Sequence, residues 1–204
     1  FEGAFLPPGW DRFNEDNNGQ WSVSTATGGY GTSLKSAIFD NFNIDSQSTY
    51  DDLRVFVNTT SSVDPYLNFD VAYASYGGIY SDTLEVLVST DCGLTFTSLY
   101  KKGGSTLATA PNIQTYFVPT DLQWRTDSVS LIPYSGNANV MVAFRNIGHW
   151  GNVVYLDNVN INDLSSGIPE EEEFTDIYLF PNPVSPGRCL NILLPESTCI
   201  VSMY

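Results

Sequence analysis

Apolar residues in this chain recur at every second position in short runs, and no window sustains the i, i+3, i+4, i+7 spacing of a helix. Successive side chains of a strand point to opposite faces, so such runs read as half-buried β-strands. Leu67, Phe69, Val71 and Tyr73 share one face of a run over 66–74, with Asn68 and Asp70 on the other. Leu84, Val86 and Val88 do the same over 83–89, and Val140, Val142 and Phe144 over 139–147, where Arg145 points outward. Residues 153–161 are rich in β-branched side chains. Shorter strands are expected at 21–25, 34–39, 53–58, 95–100 and 126–132. Between the runs lie turn clusters such as Pro7-Pro8-Gly9, Asn17-Asn18-Gly19, Gly77-Gly78 and Ser135-Gly136-Asn137. Many short strands with polar turns predict an all-β sandwich of two sheets.

Composition narrows the function classes. Among 204 residues, 8 Lys and Arg stand against 23 Asp and Glu, a net charge of −15. Phosphate binding needs clustered cations, so nucleic acid is excluded as a partner, and anionic membrane surfaces are disfavoured. Charged residues make up 15%, below the roughly 25% usual in soluble domains. Ser, Thr, Asn and Gly supply the polarity instead, as suits an extracellular β-protein. No apolar run reaches the roughly 18 residues that span a membrane as a helix. The chain opens without an initiator Met or a signal peptide and reads as a piece of a larger precursor.

Near residue 164 the pattern changes. Leu164-Ser165-Ser166-Gly167-Ile168-Pro169 is followed by four consecutive Glu at 170–173. This predicts an acidic, polar linker over 164–175, between a main domain over 1–163 and a small β-module over 176–204. The final module is too short for a core of its own, and the chain stops within an apolar alternation, as if the module were incomplete. Of the three Cys, Cys92 is expected to be unpaired; Cys189 and Cys199 could bridge or remain thiols.

No catalytic set stands out. There is one His, no GxSxG, no His-Glu-x-x-His and no phosphate loop, so the chain itself is expected not to be an enzyme. Ser89-x-Asp91-x-Gly93-x-Thr95-Phe96 is an Asp-box, a hairpin staple made of turn chemistry. Asn14, Asp16 and Asn18 before Gly19 have the alternate-oxygen spacing of the start of a calcium loop, but Thr25 stands where the closing acid would be. That segment is either a second metal loop or a plain polar turn. Asp157 shares the parity of Tyr155, Val159 and Ile161, so it needs a partner or a metal, or a bulge that turns it to solvent. His149, Trp150 and Asn152 lie between two strong strands, where an aromatic could form a ligand platform or pack into the core.

Taken as a set, three stretches resemble the cleaved-adhesin and choice-of-anchor J domains. They are the opening Phe1-Glu2 with Pro7-Pro8-Gly9-Trp10, Asp51-Asp52-Leu53 ahead of a strand, and Val142-Ala143-Phe144-Arg145 followed by Tyr155-Leu156-Asp157-Asn158-Val159-Asn160-Ile161. The resemblance covers about residues 1–163 and implies a galactose-binding-like jelly roll, as in the haemagglutinin regions of gingipains. It departs at Leu53-Arg54-Val55-Phe56, where the family usually has LITP. The end, Ile177-Tyr178-Leu179-Phe180-Pro181-Asn182-Pro183, is similar to the start of a type A sorting domain of the type IX secretion system.

The resemblances imply a non-catalytic adhesion or ligand-binding module of a secreted or surface-attached bacterial protein. Its ligand would be a glycan or a host or matrix protein. Pro181, Asn182 and Pro183 would be read by the translocon barrel and the outer-membrane shuttle protein. The alternative is the C-terminal accessory and sorting region of a pappalysin-like zinc metalloprotease. The resembling jelly rolls also imply a structural calcium that ties the first strand to the last. Its ligands here would be Glu2 and Asp157, with Asp51 or Asp52 as a third carboxylate.

Overall fold

The structure, a computed structural model, describes residues 1–14, 16–46 and 49–163, together with the strands Tyr178–Phe180 and Asn191–Leu193. The chain divides into two compact units, Phe1–Leu164 and Ser165–Tyr204. In the first unit the strands are β1 (Trp10–Asn14), β2 (Ser22–Ser24), β3 (Ser36–Asp40), β4 (Tyr50–Val57) and β5 (Pro65–Tyr73). They continue as β6 (Thr83–Ser89), β7 (Thr97–Gly103), β8 (Arg125–Ser130), β9 (Val140–Ile147) and β10 (Val153–Asp163). In the second unit β11 (Tyr178–Phe180) pairs antiparallel with β12 (Asn191–Leu193).

Two five-stranded antiparallel sheets, ordered β1-β4-β9-β6-β7 and β2-β3-β10-β5-β8, make the expected jelly-roll sandwich. The alternating residues meet in the middle. Leu67, Phe69 and Val71 of one sheet face Leu84, Val86, Val142 and Phe144 of the other, all 0% exposed. Phe69 and Phe144 meet edge to face with ring centroids 5.3 Å apart, the geometry their quadrupoles favour. Trp21 and Leu53 close the layer.

One sheet is covered on both faces. Ile38, Ala72, Val153 and Tyr155 point away from the central core and pack with Phe117 and Trp124, from the long connection between β7 and β8. This explains why Val71-Ala72-Tyr73-Ala74 and Val153-Val154-Tyr155-Leu156 are unbroken apolar runs: a strand buried on both faces has no polar side to show.

β10 carries a bulge. Asp157 pairs with Asp70, but the next register partner of Asn68 is Asn160, one residue further on than regular pairing allows. Asn158 takes φ 47 to absorb it. The shared parity expected for Tyr155, Asp157, Val159 and Ile161 is therefore broken. Tyr155 and Asp157 face outward from the central core, whereas Val159 and Ile161 pack against it. Asp157 is 1% exposed, so the bulge does not turn it to solvent.

Candidate functional site

Three loops converge at one end of the sandwich. The β3–β4 connection supplies Phe42, the β5–β6 connection Tyr76 and Tyr80, and the β9–β10 connection Trp150 and Gly151. They line an open cleft of about 390 Å³. Tyr76 and Tyr80 stand perpendicular with centroids 5.7 Å apart, and Phe42 meets Tyr76 at 6.4 Å. The tight turn between the tyrosines uses Gly77 at φ 101 and Gly78 at φ 66, a backbone that side chains rarely adopt. Trp150 is 47% exposed and Tyr80 40% exposed, so both rings offer a face to solvent.

Asp82 sets the position of Trp150. It lies just before β6 and is 0% exposed. Its Oδ1 accepts the amides of His149 (2.9 Å) and Gly151 (3.1 Å), and its Oδ2 accepts the amide of Asn152 (2.7 Å). Three amides on one carboxylate curl the loop around it. Trp150, whose amide is left out, is thrown outward with φ 51. Burial raises the Asp82 carboxyl above its ordinary value, and the three amides oppose that shift. Of the three residues expected in a ligand loop, Trp150 lies in the cleft and His149 is exposed beside it. Asn152 is a correction. It is 0% exposed, its Oδ1 accepts the Phe117 amide, and its Nδ2 donates to the carbonyls of Ile113 and Thr115. It staples the β7–β8 connection and has no atom to offer a ligand.

The four carboxylates expected at one metal site are not brought together. Glu2 and Asp157 do meet, through Ser33: its hydroxyl lies 2.7 Å from Glu2 Oε1 and 2.5 Å from Asp157 Oδ2. The amides of Leu34 and Lys35 also donate to Glu2 Oε1, and the Gly29 amide donates to Asp157 Oδ2. The Ser33 hydroxyl and then these two amides hold the Glu2 carboxyl below its ordinary value. The donor set ties the first segment to β10 by hydrogen bonds through Glu2 Oε1 and Asp157 Oδ2.

Asp51 and Asp52 lie in the other sheet. Asp52 is 0% exposed and grips two guanidiniums, accepting from Arg54 at 2.7 Å and 3.1 Å and from Arg145 at 2.7 Å and 3.0 Å. Those guanidiniums lie over the rings of Phe13 (4.1 Å) and Tyr50 (3.7 Å), and both approach Phe96. Asp52 is thus the shared counter-ion of an arginine–aromatic stack. Asp51, one residue earlier, faces inward at the end of the core row. Among the described residues no three His, Cys, Asp or Glu converge as a metal-binding group.

The Asp-box folds as a staple. Asp91 Oδ1 accepts from the Ser89 hydroxyl (2.7 Å) and the Thr95 amide (2.9 Å), and Oδ2 from the Thr95 hydroxyl (2.5 Å). Cys92 and Gly93 take φ 61 and 86. Asn14, Asp16 and Asn18 form successive side-chain turns: Asn14 Oδ1 accepts the Asn17 amide and Asp16 Oδ1 the Asn18 amide. Pro181, Asn182, Pro183, Cys189, Cys199 and the Glu run lie outside the described residues.

No family model matches the chain, and no curated protein matches it. Solved structures do. The K1 cleaved adhesin domain of Lys-gingipain from Porphyromonas gingivalis W83 superimposes with a TM-score of 0.55 at 18% identity, covering 78% of this chain and 92% of that domain. The K3 cleaved adhesin domain of the same protein gives 0.53 at 19% identity, over 78% and 94%. The carbohydrate-binding module CBM27-1 of Caldicellulosiruptor saccharolyticus, solved with mannohexaose, gives 0.50 at 14% identity, over 76% and 90%. At these identities the likeness is one of fold.

Proposed function

We propose that the first unit is a non-catalytic glycan-binding module of an exported bacterial protein, and that its ligand site is the cleft of Phe42, Tyr76, Tyr80 and Trp150. One observation carries this reading. Trp150 is held out from the sandwich by a buried carboxylate that fixes the backbone on both sides of it. An exposed indole in a left-handed backbone is costly to build for packing alone. The apolar face of a pyranose ring stacks on such a surface. Solved modules of the same fold include oligosaccharide binders, which supports the class of ligand.

The test is a glycan array with the full chain, followed by titration calorimetry on the best glycan. Loss of an aromatic anchor typically costs about 2 kcal/mol, roughly thirtyfold in affinity. Trp150→Ala and Tyr80→Ala should each weaken binding by at least tenfold with the melting temperature nearly unchanged. Equal affinity in both variants would place the ligand elsewhere.

Export is the second part of the proposal. The Pro181-Asn182-Pro183 box after an acidic linker supports a type IX sorting signal, read by the translocon barrel and the shuttle protein. Cell-surface appearance of the parent is the measurement. The metalloprotease parent is distinguished by its upstream sequence, where a His-Glu-x-x-His motif would favour it.

A further inference from the structure

Tyr30, in the connection between β2 and β3, is 48% exposed, yet it is pinned at three points. Its amide donates to Asp70 Oδ2 at 2.9 Å, its carbonyl accepts from the Asn158 side-chain amide at 2.8 Å, and its hydroxyl donates to the Trp124 carbonyl. A ring half in water gains little from burial, so the effort of fixing it calls for another reason.

The anchors come from the bulge in β10. Asn158, within it, donates both to the Tyr30 carbonyl and to Asp70 Oδ2, the latter at 2.7 Å. Asp70 is buried on β5 and also accepts the Thr126 hydroxyl at 2.5 Å. The neighbouring Gly29 amide is held by Asp157 Oδ2, and a methyl group on Gly29 would lie 2.8 Å from Asp70 Oδ2. The loop therefore rests directly on two buried carboxylates. Bulges often re-aim a side chain beside a functional site, and this one aims Asn158 at the loop that carries Tyr30.

Tyr30 and Ser33 form the common wall of two clefts, of about 360 Å³ and 490 Å³. Thr32, Asn158 and Asn160 face one cleft, and Thr25, Thr27 and Asp121 face the other. A flat ring flanked by hydroxyls and amides offers stacking and hydrogen bonds together, as a pyranose requires. Among the described residues that line the two clefts none is Lys or Arg, whereas Glu2, Asp121 and Asp157 are acidic, so anionic ligands are disfavoured.

We propose that the Tyr30 ridge is a second saccharide site: one pyranose stacks on the ring, and its neighbours along a neutral, linear glycan lie in the clefts on either side. This rests on the reading of the module as a glycan binder but not on the Trp150 cleft, with which it shares no residue. Two separate sites on one module would give it avidity for polysaccharide chains that neither site has alone.

The test uses the full chain and linear β-1,4-linked hexasaccharides of glucose, mannose, galactose and xylose, each titrated by calorimetry. The Trp150→Ala chain should keep measurable affinity for at least one of them. Adding Tyr30→Ala to that chain should cut the residual affinity by about tenfold or more, with the melting temperature within about 2 °C. Tyr30→Phe keeps the ring and should bind within about threefold of the Tyr30 chain. In the unaltered chain, the amide NMR signals of Gly29, Tyr30 and Asn160 should move as the same hexasaccharide is added, a readout that needs no variant to fold. Binding lost altogether in Trp150→Ala would overturn the second site and leave the Trp150 cleft standing. Binding untouched by Trp150→Ala but lost in Tyr30→Ala would uphold the Tyr30 site and remove the other. Four silent hexasaccharides, a Tyr30→Phe as weak as Tyr30→Ala, or unmoved amides around Tyr30 would each overturn the proposal.

Discussion

At the scale of single residues, two glycines in the last long loop show how little room the design leaves. A methyl group on Gly151 would sit 2.0 Å from Asp82 Oδ2, and one on Gly148 would sit 2.3 Å from Asn41 Oδ1. Asp82 cannot give way without releasing three amides. Gly151→Ala is therefore expected to destabilise the domain by about 1–3 kcal/mol, the usual cost of overpacking, and to weaken glycan binding together with Trp150→Ala. Urea denaturation and calorimetry on the same preparations check both. A Gly151→Ala protein with the original midpoint and affinity would show that the carboxylate does not hold the loop. Little of this was legible in the sequence. Trp150 stood out as an aromatic between strands, but Asp82 lies far from it in the chain, and nothing in the residues around Asp82 announces its partners. Phe42, Tyr76 and Tyr80 come from two other loops, so only the fold makes them neighbours.

At the scale of elements, the alternations located nine of the ten strands of the first unit, because a period of two is a property of each strand by itself. The strand they missed is β1, a five-residue edge strand set between Pro7-Pro8-Gly9 and an Asn-rich turn, with no fully buried residue to create a pattern. A bulge at Asp157 was among the alternatives the sequence left open, but that it keeps Asp157 buried was hidden, since this arises from pairing with β5. The β6–β7 hairpin was the most legible element, because its turn is closed by side chains of the same segment. Hydrogen bonds from the Thr95 and Ser89 hydroxyls, then from the Thr95 amide, lower the Asp91 carboxyl to about 2. A lowered carboxyl stabilises the fold fully above its ordinary value of 3.8 and loses that contribution as pH falls from there toward 2. Carbon NMR of the Asp91 carboxyl should give a midpoint near 2. An ordinary midpoint near 3.9 would show that the staple is open in solution.

At the scale of the whole molecule, composition set the class of protein and the strand pattern its architecture, but neither could assign carboxylates to partners. Asp51, Asp52 and Asp157 are all buried, and each is treated differently: one orphaned, one bound to two arginines, one bound to an amide and a hydroxyl. Those fates follow from which sheet and which face each residue occupies. Removing the chain from Asp176 onward should leave the melting transition of the first unit within about 2 °C and abolish surface delivery of the parent. Normal delivery of that truncated parent would remove the sorting signal from the proposal. The place of β10 has a mechanical meaning. It begins directly after the Trp150 loop and ends at Asp163, from which the chain runs on toward the tail, and β3 and β5 flank it. Tension between a surface anchor and a glycan held at the cleft would run lengthwise along this one strand. Antiparallel hydrogen bonds lie across the strand, so a lengthwise pull loads them all at once rather than unzipping them in turn. If the cleft holds a glycan as proposed, a sandwich loaded along β10 should resist such a pull better than one peeled apart bond by bond.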